Sequence, residues 1–273
     1  MFVGYNLKLT KEDFQNVNYT YEYYLERGRV LYKLQKEQCK TKMLEFTRQS
    51  GRIDGSRLQE NWFPIVKADI FLSHSHRDEE LAITLAGYLY EEYDLKVFID
   101  SCFWGYSNDL LKAIDDEYCK NDNSNTYCYD RRNHSTSHIH MMLSNALQRM
   151  IDETECLIFL NTDNSITSVP DEIKEKTLSP WIFMELETSK IARIVKRREI
   201  TYYEEKSLNA TFSINESTLL IEYDIDINHL FPLNPVILLK LRSRPNLCGL
   251  DLLYSQTLSP IDFYEIDSKS MKI

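Results

Sequence analysis

Glycine is scarce in this chain: 7 of 273 residues, where average usage of about 7% gives roughly 19. No two of the seven fit G-x-G-x-x-G or G-x-x-x-x-G-K-[ST]. Both patterns crowd backbone N–H groups around a phosphate, so a Rossmann pyrophosphate loop and a Walker cradle are excluded. Positive charge is also short. The net charge is −10 with a pI near 5.2, which argues against the basic surface that nucleic-acid binding needs. Lys196-Arg197-Arg198 is the one short basic cluster and reads as a solvated helix end. No stretch of about 18 apolar residues offers a membrane span. The start, MFVGYNLKLTKEDF, lacks the basic and apolar regions of a signal peptide. These absences lead to the expectation of a cytoplasmic protein that binds neither nucleic acid nor membrane. Its six cysteines are then free thiols, and the sequons at Asn209 and Asn215 carry no glycan.

Aromatic residues, by contrast, are abundant: 18 Tyr, 12 Phe and 3 Trp. Residues 1–64 read as helical, with Tyr21, Tyr24, Leu25, Gly28 and Leu31 at i, i+3, i+4, i+7 spacing and a turn at Gly51–Gly55. From residue 68 the pattern changes. Ala68–Ser73, Lys96–Asp100, Glu155–Asn161 and Thr218–Tyr223 are short apolar strands. Glu80–Tyr93, a segment around Met142–Ile151, and a segment opened by Ser179-Pro180 and running to about Arg197 are helices between them. Buried strands alternating with amphipathic helices predict an α/β fold with a parallel sheet covered on both faces. Ligands of such folds sit beyond the carboxyl ends of the strands.

Four constellations follow. Trp181-Ile-Phe-Met-Glu185 places a ring and a carboxylate on one helix face, suited to stacking on a nucleotide and holding a ribose diol. The same spacing also fits Trp181 in the core with Glu185 in solvent, which spacing alone favours. Leu72–Asp78 contains Ser73, His74 and Ser75, a polar helix entry. A Ser73/His74 nucleophile–base pair is disfavoured because adjacent strand residues point to opposite faces. Asp100–Tyr106 (DSCFWGY) reads equally as a ligand wall or as a loop packed over the sheet edge. Residues 119–140 read as a long polar loop, and Cys119, Cys128, His134, His138 and His140 in it match no compact zinc spacing.

Taken in order, ADIFLSHSHRDEELAITLAGYL, KVFIDS, ECLIFLN and SPWIFMEL resemble the strands and the Trp-x-x-x-Glu helix of Toll/interleukin receptor (TIR) domains, over about residues 67–225. The resemblance implies a flavodoxin-like parallel sheet. It divides the chain into a helical extension at 1–64 and a TIR-like domain at 65–273, with a long insertion around 101–140 and a C-terminal extension. It also implies cleavage of the nicotinamide–ribose bond of NAD+, as in bacterial antiphage (Thoeris-like) members, with NAD+ as substrate and no cofactor or metal. Glu185 would be catalytic. Ser73, His74, Ser75, Asp100, Ser101, Trp104, Tyr106 and Trp181 would line the substrate. Self-association through TIR surfaces and a downstream effector reached by a nucleotide signal are the implied partners. A non-catalytic TIR scaffold and a flavodoxin-like nucleoside hydrolase are the competing readings.

Overall fold

Three strands of the main sheet form where β-branched, aromatic and leucine side chains run without a charge, at Ile70–Ser73, Val97–Ile99 and Cys156–Leu160. In the computed structural model, which describes residues 3–38, 53–121, 126–167, 175–192, 221–241, 247–259 and 262, the elements follow one another as β1 (Val3–Leu7), α1 (Tyr21–Gln38), α2 (Gly55–Trp62), β2 (Ile70–Ser73), α3 (Glu79–Tyr93), β3 (Val97–Ile99), α4 (Ser101–Ile114), α5 (Tyr129–Glu153), β4 (Cys156–Leu160), β5 (Glu175–Thr177), α6 (Pro180–Ile191), β6 (Tyr223–Ile225), β7 (Phe231–Leu233), α7 (Pro235–Leu238) and α8 (Gly249–Thr257). Five strands make one parallel sheet, ordered β3-β2-β4-β1-β7. It is flanked by helices, as in flavodoxin-like folds. β2 and β4 are buried along their whole length.

Three expectations are corrected. The first 64 residues are not an extension outside the sheet, because β1 pairs with β4 on one side and β7 on the other. Its alternating Val3, Tyr5 and Leu7 are at most 1% exposed, so removing the segment would split the core. The stretch 101–106 is not a loop but the first turns of α4. Asp100 already has helical dihedrals, and Phe103, Tyr106, Leu110 and Ile114 recur at helical spacing on the buried side. Most of 119–140 is likewise helix. α5 begins at Tyr129 and turns Ser135, Ile139, Leu143, Ala146 and Met150 inward, while its histidines 134, 138 and 140 face outward. Its first turns are held by Asp115, which accepts from Arg132 at 2.8 Å and from Ser135 at 2.5 Å.

The strand expected at 218–223 is also moved. Residues 218–220 lie outside the described residues, and Tyr223 opens β6, which pairs antiparallel with β5 away from the main sheet. Lys196–Arg198, Asn209, Asn215 and Cys39 fall outside the described residues too. The helix start at Ser179-Pro180 is where the sequence places it. The Ser179 hydroxyl accepts from Ile182 N–H and Pro180 occupies the first helical position, where its missing N–H costs nothing.

The edges are closed by side chains. Pro232 lies in β7, an outer strand, where its missing donor breaks no ladder bond to a second neighbour. On the opposite edge, Gln35 of α1 lies along β3. Its amide nitrogen donates to Val97 O and its oxygen accepts from Ile99 N–H. That satisfies backbone groups an edge strand otherwise leaves open.

α1 and α3 meet through glycine. A Cβ on Gly28 would overlap the carbonyl oxygen of Ile83, and one on Gly87 would overlap that of Tyr24. Around this contact Tyr24 packs edge-on against Tyr88 at 5.0 Å, and Arg27 pairs with Glu91 at 2.6 Å. Gly28→Ala or Gly87→Ala is therefore expected to force the helices apart. Urea unfolding should show a loss of about 2–3 kcal/mol for either, the upper range for overpacking. The same substitution at Gly105, whose Cβ would meet nothing within 4 Å, should be neutral or slightly stabilising.

Candidate functional site

β2 is followed by β3 on one side and, after the return crossing, by β4 on the other. The connections therefore diverge between β2 and β4, and the crevice at their carboxyl ends is the switch point where ligands of such sheets bind. Ser73 ends β2, and Asn161 follows β4. Ser73, Phe159 and Asn6 of β1 are in register across three strands, so their side chains leave the sheet on the same face.

α6 covers that face. The Ser73 hydroxyl donates to Glu185 Oε2 at 2.6 Å across a separation of 112 residues. Glu185 is 0% exposed. The alternative of Glu185 in solvent is thus overturned: the sheet edge, and not water, receives the carboxyl. Asp100 lies beside Glu185, also 0% exposed. His74 lies against Asp100, its Nδ1 2.6 Å from Asp100 Oδ1. The contact is close but off the line of an N–H···O bond, so His74 Nδ1 and Asp100 Oδ1 have no directed partner among the described residues. The His74 ring stacks on Trp104 at 5.5 Å and 20°.

The electrostatics follow from burial. Loss of hydration raises the Glu185 pKa well above the carboxylate range, and the neighbouring Asp100 charge raises it further. Asp100 is raised well above its usual range by the same desolvation, offset in part by the adjacent Glu185 carboxyl. Two carboxyls in one dry site titrate as a coupled pair, and burial pushes both toward the protonated form. Burial lowers the His74 pKa, so the imidazole is neutral.

A second network fixes the start of α4. Tyr32 of α1 donates to Glu79 Oε1 at 2.5 Å and lies 3.0 Å from Ser101 Oγ. Burial pushes the Glu79 carboxyl up, but hydrogen bonds from Tyr32 and Ser101 carry it below its ordinary value. Asp78, at the entry to α3, accepts from Thr162 at 2.5 Å and Asn164 at 2.7 Å, and so ties the turn after β2 to the loop after β4.

Of the residues marked in the sequence, Ser73, His74, Asp100, Trp104 and Glu185 form one connected cluster, with Ser101 at its border. Ser75 is buried before α3 without a side-chain cap bond. Tyr106 turns away and donates to Lys36 O. Trp181 is half-buried against His140 at 5.7 Å, on the α5 side. Tyr32, Glu79 and Asn6 were not singled out in the sequence, because their place in the site depends on α1 and β1 joining the fold. Among the described residues no group of three or more His, Cys, Asp or Glu is placed to hold a metal, and no helix is long and apolar enough to cross a membrane.

The chain matches no protein-family model, no curated protein and no solved structure. The geometry of the cluster is therefore what bears on its use.

A buried acid with a raised pKa makes stability pH-dependent. The unfolded chain releases the Glu185 proton in the ordinary carboxylate range, whereas the folded chain holds it to higher pH. Stability is then greatest below that range and falls as pH rises toward the folded value. Glu185→Gln mimics the protonated form. It should stabilise the protein at pH 7 by about 1–2 kcal/mol, the usual gain from relaxing a strained functional group, and the gain should vanish near pH 4. Thermal unfolding of both proteins from pH 4 to 8 checks this, and a Gln variant less stable at pH 7 would refute the buried-proton account.

Proposed function

We propose that this chain is a TIR-type NAD+ glycohydrolase or cyclase. It would cleave the nicotinamide–ribose bond and produce an ADP-ribose-derived signal in antiphage defence, read by a separate effector. The observation that carries the reading is the 2.6 Å hydrogen bond from Ser73 to Glu185. It places the carboxyl of the Trp-x-x-x-Glu helix at the carboxyl edge of the strand that opens the resemblance. Asp100 and the His74–Trp104 stack add a second carboxyl and a flat aromatic wall.

The chemistry suits this set. Nicotinamide leaves as a neutral base from a cationic ring, so the leaving group needs no strong acid. The ribosyl transition state resembles an oxocarbenium ion, and a carboxylate beside it stabilises the developing charge. In the closed state Glu185 holds a proton. A pyridinium cation entering the site supplies a positive charge in place of that proton, so substrate binding and ionisation of Glu185 are coupled. Whether water or an adenine nitrogen captures the ribosyl cation depends on how dry the site stays.

A non-catalytic scaffold is the second reading, and one observation favours it. Glu185 is 0% exposed, so substrate reaches it only when a wall of the site, such as the first turn of α4, moves aside.

The test is nicotinamide release from NAD+ by the full chain at high concentration. The wild type is expected to turn over, with Glu185→Gln at least about 100-fold slower, the usual loss of one stabilising group. KM should fall as pH rises from 5 to 8, because the ionised pair attracts the cationic ring. Equal turnover by wild type and Glu185→Gln would remove Glu185 from the chemistry. Absence of turnover in concentrated wild type would favour the scaffold.

A further inference from the structure

Two buried amide atoms at the sheet edge have no partner among the described residues: Asn161 Nδ2 and Asn6 Oδ1. Asn161 is 8% exposed, and Asn6 is half-buried. Leaving a buried amide unpaired is costly, and such orphans call for an explanation. Their position supplies one. Asn161 continues the β4 ladder by donating its N–H to Leu7 O at 2.8 Å. It stands two residues beyond Phe159, hence on the same face. Phe159 lies level with Ser73 on one side and Asn6 on the other. Ser73 and Asn6 therefore stand level on the face that carries Glu185, and Asn161 lies two residues further along β4 between them, so that the three make a staggered row.

The row is rigid. After Asn161 the chain folds back on itself: Thr162 N–H donates to Ser165 Oγ at 2.7 Å and Ile166 N–H to Thr162 O at 3.0 Å. Thr162 and Asn164 are tied to Asp78. Asn161 is thus carried on a pinned backbone and not on a loose loop.

We infer that Asn161 and Asn6 are specificity residues that read a carboxamide on the ligand, Asn161 Nδ2 donating to its oxygen and Asn6 Oδ1 accepting from its N–H. One free donor and one free acceptor on diagonally neighbouring positions of adjacent strands, about 7–8 Å apart at the backbone, can be bridged by a primary amide and not by a carboxylate, which has no N–H to give. Asn161 lies two residues along the strand from the level of Ser73, about 6–7 Å, the order of separation across a pyridine ring bearing a carboxamide. The nicotinamide end of NAD+ would then lie across the row, with its ribosyl bond toward Glu185. This inference rests on the NAD+ reading and adds to it the residues that choose the amide. It also gives β1 a direct part in the site.

The experiment compares NAD+ with nicotinic acid adenine dinucleotide, which carries a carboxylate in place of the amide. Binding of each to the full chain is measured by calorimetry for the wild type, Asn161→Leu and Asn6→Leu, alongside thermal unfolding and nicotinamide release. The wild type should bind NAD+ at least about 100-fold more tightly than the acid, since a site built for hydrogen bonds rejects an analogue that leaves them unmade. Each Leu variant should lose most of that preference and unfold at a higher temperature, because an orphaned polar atom has been removed. A preserved preference in both variants overturns the inference. So does a lower unfolding temperature, which would mark a structural role, or equal affinity of the wild type for the two dinucleotides, or binding of neither. Preferential NAD+ binding without nicotinamide release would support the amide row and refute the hydrolase reading. Release with an unchanged preference in the variants would do the reverse.

Discussion

Asp100 and Glu185 are buried side by side, and a dry site cannot hold two adjacent negative charges. That constraint sets the state of everything around them. Burial pushes the pair toward its protonated form, the Ser73 hydroxyl donates to Glu185, and burial favours the neutral form of the His74 ring against Asp100. The cost is borne by the surrounding fold: a fully covered sheet edge and a fixed start to α4. Such an arrangement is stable only while closed.

The closed state depends on the N-terminal segment. β1 fills the position beside β4 and brings Asn6 level with Ser73. α1 then crosses the sheet's outer strand, where Gln35 occupies the open edge of β3 and Tyr32 bridges Glu79 and Ser101. The glycine contact between α1 and α3 permits this closeness, since any side chain at Gly28 or Gly87 would meet backbone. A segment that looked like an appendage therefore builds one strand of the site and braces one of its walls.

What was legible in the sequence divides along physical lines. The strands at 70–73, 97–99 and 156–160 were readable because burial on both faces demands uninterrupted apolar runs. The α6 start was readable because Ser179-Pro180 is a local signal, decided by one hydrogen bond and one ring. β1 was not, because Val3-Gly4-Tyr5-Asn6-Leu7 alternates and sits before a charged stretch; only its pairing with β4 and β7 marks it as central. The α4 and α5 starts were missed for another reason. Aromatic and polar residues there invite a loop reading, although Phe103, Tyr106, Leu110 and Ser135, Ile139, Leu143 carry a helical period. In the site, Ser73, Asp100 and Glu185 could be named from motif order. The burial of both carboxyls side by side, and the isolation of Trp181 on the α5 side, are tertiary facts that no spacing encodes.

The shortage of glycine takes on a definite meaning at the sheet edge. A phosphate cradle needs free backbone N–H groups, and here they are spent: Asn161 N–H on Leu7, Thr162 N–H on Ser165, Asp78 N–H on Ser75. A dinucleotide held at this edge gains little from backbone contacts to its diphosphate. Its binding energy must come from side chains, and buried polar atoms of His74, Asp100, Glu185 and Asn161 without a partner among the described residues lie at this edge. On the proposed NAD+ reading, recognition would be displaced from the phosphates, which many nucleotides share, to the base and ribose, which distinguish them. An edge built this way would discriminate among dinucleotides by the ring they carry, and an aromatic-rich, glycine-poor composition is what that form of recognition requires.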